Sequence, residues 1–158
     1  MGACRLGKMC YCLTGEDGAV CSNTQPAERI RKPKKRRDMD NGYWYLASPY
    51  SKFPGGLAQA HRQVCIEVGR LVQAGVAVFS AIAHSHKVAE YCKINPRAHE
   101  IWIPLDQALM ASAKGLIVLT LPGWERSIGV GFEISYFEAT KQPIVYMMPG
   151  TVPGGVLE

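Results

Sequence analysis

The sequence predicts an α/β fold, a three-layer sandwich in which helices cover both faces of a parallel sheet. Three observations carry that expectation. Short apolar runs alternate with longer stretches of helical period. The apolar runs are continuous rather than alternating with polar residues, so each strand is covered on both faces. Each return from one strand to the next passes through a helix, which is the crossover that parallel pairing needs.

Tyr43-Trp-Tyr-Leu-Ala47, closed by Ser48-Pro49, reads as the first buried strand. Pro54-Gly-Gly56 marks a loop. Residues 57 to 73 suit a helix, because Ala60, Val64, Val68, Leu71 and Val72 recur at spacings of three and four. Gly75 stops it in the way helices end. Val76-Ala-Val-Phe79 is the second strand, and Ser80 to Pro96 reads as a polar stretch holding His84-Ser-His86. Residues 101 to 113 form the next helix, with Leu105, Leu109 and Met110 on one side. Gly115-Leu-Ile-Val-Leu-Thr-Leu121 is the clearest strand, and Pro122-Gly123 breaks it. A helix from Ile128 to Thr140 and a fourth strand, Ile144-Val-Tyr-Met147, complete the pattern. The expected sheet is mostly parallel, flavodoxin- or Rossmann-like, with four to five strands.

The chain of 158 residues suits one compact domain, placed at residues 42 to 150, with a Gly- and Pro-rich tail at 151 to 158. Residues 1 to 41 show no sustained period and read as a disordered tail rich in cysteine and basic residues. The formal charge of +5 belongs to that tail. Arg29 to Arg37 holds seven basic residues, and the other 11 Lys and Arg face 13 Asp and Glu. A broad nucleic-acid-binding face is therefore excluded, and only a weak nucleic-acid contact through Arg29 to Arg37 is expected. Four of the six cysteines, Cys4, Cys10, Cys12 and Cys21, lack the paired spacing of structural zinc sites. Cys65 and Cys92 fall in apolar or helical settings, and all six thiols read as reduced. No apolar run approaches the roughly 20 residues of a membrane span. No secretory leader or myristoylation pattern is apparent. A cytoplasmic protein without membrane attachment is expected.

In parallel α/β sheets ligands sit beyond the carboxyl ends of the strands. That rule selects Ser48 to Gly56, Ser80 to His86 and Pro122 to Glu133. The third is the richest. Ser127 stands at a helix start with Gly129 and Gly131 just inside it. Free N–H groups and the helix dipole suit a phosphate there, and glycine permits close approach. Ser127 is also a normal N-cap, and the two roles are compatible. Neither a Walker pattern nor a dinucleotide signature is present. Glu133 falls within the first two turns, where composition alone makes it a dipole-pairing glutamate. In the first loop Ser48, Tyr50 and Lys52 offer polar groups to a ligand, or form an ordinary turn. In the second, Ser80 and His84 are candidate lining groups. His84 and His86 lack further ligands for a metal, so no metal is expected. Trp102 and Trp124 can stack on a base or pack in the core. His61 and His99 read as surface residues.

Tyr45-Leu-Ala-Ser-Pro-Tyr50, Asp106 and Ser127-x-Gly-x-Gly-x-Glu133 together resemble the nucleoside 2-deoxyribosyltransferase superfamily, and most closely a bacterial and phage branch of it. The resemblance covers residues 43 to 148 and rests chiefly on the block from Leu121 to Glu133. It implies that Glu133 is the nucleophile at the anomeric carbon, that Asp106 assists departure or proton transfer, and that Tyr45 steers the nucleophile. It implies no cofactor. One departure matters. Where the transferases carry aspartate six positions before the nucleophile, this chain has Ser127. The superfamily's 2′-deoxynucleoside 5′-monophosphate N-hydrolases also have serine there, against a 5′-phosphate. The resemblance thus implies a nucleoside or, more specifically, a nucleoside 5′-monophosphate substrate, with Ser127, Gly129, Ser48, Tyr50, Ser80, His84 and Trp124 around it.

The expected activity is therefore cleavage or transfer of an N-glycosidic bond. The alternatives are a nucleotide-binding module of the same fold without turnover, and an accessory protein whose basic tail holds nucleic acid. A homodimer or higher homo-oligomer is expected from the superfamily, with Tyr136 and Phe137 as exposed aromatic residues suited to it.

Overall fold

The computed structural model describes residues 42–157, and every structural statement here concerns those residues. The expectations for the four N-terminal cysteines and for Arg29 to Arg37 lie outside them. Four strands form one parallel sheet in the order β2-β1-β3-β4. They are β1 (Trp44–Ala47), β2 (Val78–Phe79), β3 (Gly115–Leu119) and β4 (Ile144–Met147). Four helices connect and cover them: α1 (Gly56–Gln73), α2 (Ala81–Cys92), α3 (His99–Ala111) and α4 (Ile128–Ala139). The architecture is the three-layer, Rossmann-like α/β fold that the alternating pattern predicts.

The two faces of β1 and β3 explain the layers. Trp44 and Leu46 join Ile117 and Leu119 in a cluster with Val64 and Leu71 of α1. Tyr45 and Ala47 join Leu116 and Val118 in a second cluster with Met110 of α3 and with Val130 and Phe137 of α4. Every residue of both strands is buried, which is why their sequence shows no alternation. Register runs Ala47 against Val118 and Leu119 against Met147. Gly115 is required at the start of β3. A Cβ there would lie 2.6 Å from the Trp44 ring and 2.7 Å from the Pro143 carbonyl oxygen.

Three expectations are corrected. The polar stretch from Ser80 to Pro96 contains a helix, α2, of 12 residues. Ser80 caps it, its hydroxyl accepting from the Ala83 N–H at 3.4 Å. Only Ala81 and Ala89 are fully buried on it, so it lacks the large apolar stripe by which helices are recognised. On α1, Val72 is 57% exposed, and Glu67 is buried with Ala60, Val64 and Leu71. The Glu67 carboxylate accepts from Arg70 and from the Gly150 N–H, both at 3.1 Å, and so ties the C-terminal segment to α1. Phe137 is fully buried beside Tyr45, and Tyr136 packs against the same cluster, so neither offers an exposed aromatic face. The exposed apolar residues of α4 are Ile128 and Phe132. Cys65 lies in α1 and Cys92 closes α2, the helical settings expected, and both thiols are free and exposed.

The chain leaves β1 towards β2 and later returns past β1 to lay down β3. The connections therefore diverge between the carboxyl ends of β1 and β3, and a crevice opens at such a reversal. Gly123 holds the two connections together. It adopts a left-handed φ of 90°, and a Cβ on it would stand 3.2 Å from the Lys52 carbonyl oxygen.

Candidate functional site

A cavity of about 280 Å³ occupies that crevice. Its size is near the roughly 300 Å³ lower end for small-molecule sites. Four parts of the chain wall it. The β1 end contributes Ser48, Tyr50 and Ser51, and α2 contributes Ala81, Ile82 and Ser85. The connection into α3 and α3 itself contribute Arg97, His99, Trp102 and Asp106. The start of α4 contributes Ser127, Ile128, Gly129, Phe132 and Glu133. A second hollow of about 450 Å³ along the β2 edge is apolar apart from Tyr43. It offers no acid or base for chemistry near pH 7.

Glu133 and Tyr45 meet across the sheet face. The Tyr45 hydroxyl donates to Glu133 Oε1 at 3.0 Å. Tyr45 is fully buried in β1, so its ring cannot swing away, and the bond fixes the carboxyl against the end of the strand. By exposed area Glu133 is intermediate, because it opens on the cavity, yet protein atoms crowd its carboxyl group. Burial pushes its pKa up to about 8, against the opposing pull of the Tyr45 hydrogen bond and with help from the Asp106 charge. Asp106 is pushed up to about 6, chiefly by burial, with His84 pulling the other way. The Asp106 charge weighs on Glu133 without the reverse being felt. That asymmetry follows from the order of ionisation: Asp106 loses its proton while Glu133 is still neutral. Between about pH 6 and 8 the two carboxyls therefore hold one proton between them. The Tyr45 hydroxyl is pushed far above the usual phenol range by burial and by the charges of Glu133 and Asp106, so it stays protonated and donates to Glu133.

Ser127 caps α4, its hydroxyl accepting from the Val130 N–H at 3.5 Å. It is buried at the cavity margin with Gly129 beside it. Gly129 has no side chain to block approach to the free N–H groups of the first turn. Ser48 is 6% exposed, lines the cavity, and its hydroxyl has no hydrogen-bond partner. A buried hydroxyl without a partner costs free energy that a ligand can recover.

Of the residues singled out from sequence, Glu133, Asp106, Ser127, Gly129, Ser48 and Tyr50 all line this cavity, and Tyr45 stands behind Glu133. Three candidates do not. Ser80 is buried as the α2 cap, and His84 is exposed against Phe79. Trp124 packs against Tyr146 with ring centroids 5.5 Å apart. Trp102, of the two tryptophans weighed for stacking, is the one in the wall, its indole N–H donating to the Asn95 carbonyl at 3.0 Å. Its signal was present: Trp102, Asp106 and Met110 recur every four residues and so share a helix face. Arg97 and His99, missed by sequence reasoning, come from the α2–α3 connection and the first residue of α3, which the strand-end rule does not reach. Among the described residues no cluster of three or more His, Cys, Asp or Glu side chains can hold a metal ion. No helix there is long and apolar enough to cross a membrane.

Residues 42–149 match the family described as a domain of unknown function, DUF1937, and the chain belongs to that family. No curated protein matches the chain.

Proposed function

We propose that this protein cleaves or transfers the N-glycosidic bond of a nucleoside 5′-monophosphate, or of the corresponding nucleoside, with Glu133 as nucleophile. The observation that carries the reading is one cavity holding Glu133, fixed by Tyr45 at 3.0 Å, together with Asp106 and the capped start of α4. Glu133 takes part in no salt bridge among the described residues, so nothing neutralises it away from the cavity. Retaining glycosyl transfer uses two carboxyl groups on either side of the anomeric carbon. In the first step a Glu133 carboxylate oxygen bonds to that carbon as the carbon–nitrogen bond breaks. The bonding pair leaves with the base, and Asp106 gives its proton to it. In the second step water, or an incoming base, attacks the same carbon, Asp106 recovers a proton, and the glutamate is released. Ser127, Gly129 and the α4 N-terminus suit the 5′-phosphate, and Ser48 supplies a hydroxyl in search of a partner.

The reaction needs Glu133 ionised and Asp106 protonated. The pKa order set by the protein's own groups is the opposite, about 8 against about 6. The productive arrangement of the proton is then the less populated one. This observation favours a second reading, a nucleotide-binding module in which protonated Glu133 donates to the ligand. Base release from a panel of nucleoside monophosphates and free nucleosides separates the two. The enzymatic reading expects release that Glu133→Ala abolishes, with monophosphates preferred. Tight binding without release leaves the binding module, and a strong preference for free nucleosides removes the phosphate assignment.

A further inference from the structure

His86 of α2 and His61 of α1 form an arrangement that the glycosidic chemistry does not use. The Tyr50 hydroxyl lies 2.7 Å from His86 Nδ1, with the two rings edge to face at 89°. His86 stacks on His61 of α1 with ring centroids 4.2 Å apart and planes inclined by 19°. His61 Nε2 is 3.3 Å from Cys65 Sγ, and His86 Nε2 is 3.9 Å from a Glu90 carboxylate oxygen. Tyr50 is the one tyrosine in the cavity wall.

Hydrogen-bond direction is set by the His86 tautomer. A neutral imidazole carries one N–H. With that proton on Nε2, the nitrogen on the Glu90 side, Nδ1 is left as an acceptor for the Tyr50 hydroxyl. Tyr50 has a single proton and spends it on Nδ1. What Tyr50 then offers a ligand is a lone pair alone.

We propose that the Tyr50–His86 pair is a specificity element of the cavity, in which His86 holds Tyr50 as a hydrogen-bond acceptor and thereby selects a nucleobase with an exocyclic amine over its carbonyl counterpart. This inference rests on the nucleotide reading of the site. His86 is a positioning residue, acting through Tyr50. If His86 gains a proton, both ring nitrogens become donors, Tyr50 must accept from Nδ1, and its own proton turns to the ligand. The groups facing His86 are His61, with Cys65 behind it, from α1, Lys87 and Glu90 from α2, and Tyr50, which also feels Arg97. Burial first, then His61 and Lys87, hold the His86 pKa below the usual imidazole value, against Glu90. The acceptor state therefore prevails at neutral pH.

The test is calorimetric binding of two matched pairs, dAMP with dIMP and dCMP with dUMP, to the full chain at about pH 7.5 and about pH 5. Members of a pair share size and phosphate and differ in amine against carbonyl, with the adjacent ring nitrogen an acceptor in the first and an N–H donor in the second. The amine member should bind about tenfold more tightly at the higher pH, the worth of one hydrogen bond exchanged for an acceptor–acceptor contact. That ratio should collapse towards one in Tyr50→Phe, and should shrink at the lower pH in the wild type only. Equal binding within both pairs overturns the inference and leaves the nucleotide reading standing, as does a preference that survives Tyr50→Phe. Binding of no nucleotide at millimolar concentration overturns both.

Discussion

Replacing Glu133 with glutamine should make the folded chain more stable near neutral pH. The wild-type carboxyl has its pKa raised from 4.5 to about 8, mainly by burial. A raised carboxyl pKa means that the fold favours the protonated form. That stability is fully present below about pH 4.5 and is lost as pH rises through about 8. Each pH step across that window costs about 1.4 kcal/mol, so at pH 7 the wild type has lost roughly 3 kcal/mol. Glutamine cannot ionise and loses none of it. Its amide oxygen can still accept from Tyr45, so the 3.0 Å hydrogen bond is retained. For a domain of this size about 3 kcal/mol corresponds to roughly 10 °C in Tm. At pH 5 the same substitution should gain under about 1 kcal/mol. Urea unfolding of both proteins at the two pH values reads the difference directly. A variant no more stable than wild type at pH 7, or a gain that does not grow from pH 5 to pH 7, would refute the burial argument.

Ser48→Ala removes a buried hydroxyl that has no partner. Stability should stay level or rise by up to about 1 kcal/mol, while affinity for a nucleoside monophosphate falls about fivefold or more by calorimetry; a clear loss of stability would show that the hydroxyl is satisfied in solution. Gly115→Ala drives a methyl group against Trp44 and the Pro143 carbonyl, and should cost about 1–3 kcal/mol in urea unfolding, with a neutral result contradicting the packing of β1 on β3. The rate of base release should follow a bell between about pH 6 and 8, because the carboxyl pair must hold one proton; a rate that keeps rising above pH 9 would remove Asp106 from proton transfer.

The sheet is legible in sequence because its two central strands are covered on both faces. A run such as Leu116-Ile-Val-Leu119 has few other physical explanations in a chain of this composition. The α2 helix escapes the same reasoning. Alanine is too small to mark a face, and His84, Lys87 and Glu90 on its exposed side read as loop. The second strand shrinks from the four residues expected to two, pairing with β1 only through Val78 and Phe79. Within the site, residues at strand ends could be found by rule, since topology fixes where strands end. Side-chain direction could not be found that way. Trp124 follows the left-handed turn at Gly123 and is carried onto Tyr146, whereas Trp102 shares the Asp106 face of α3. The His86–His61 stack joins two helices through residues 25 apart in sequence, a contact with no local signature.

The central claim is that Glu133 forms a bond to the sugar. It is tested most directly by acid-quenching the protein during turnover of a nucleoside 5′-monophosphate and measuring intact and peptide masses. The account predicts a fraction heavier by one sugar phosphate, with the added mass on the peptide bearing Glu133 and absent from Glu133→Ala. Base release with no added mass at Glu133, or an adduct on another residue, would contradict it.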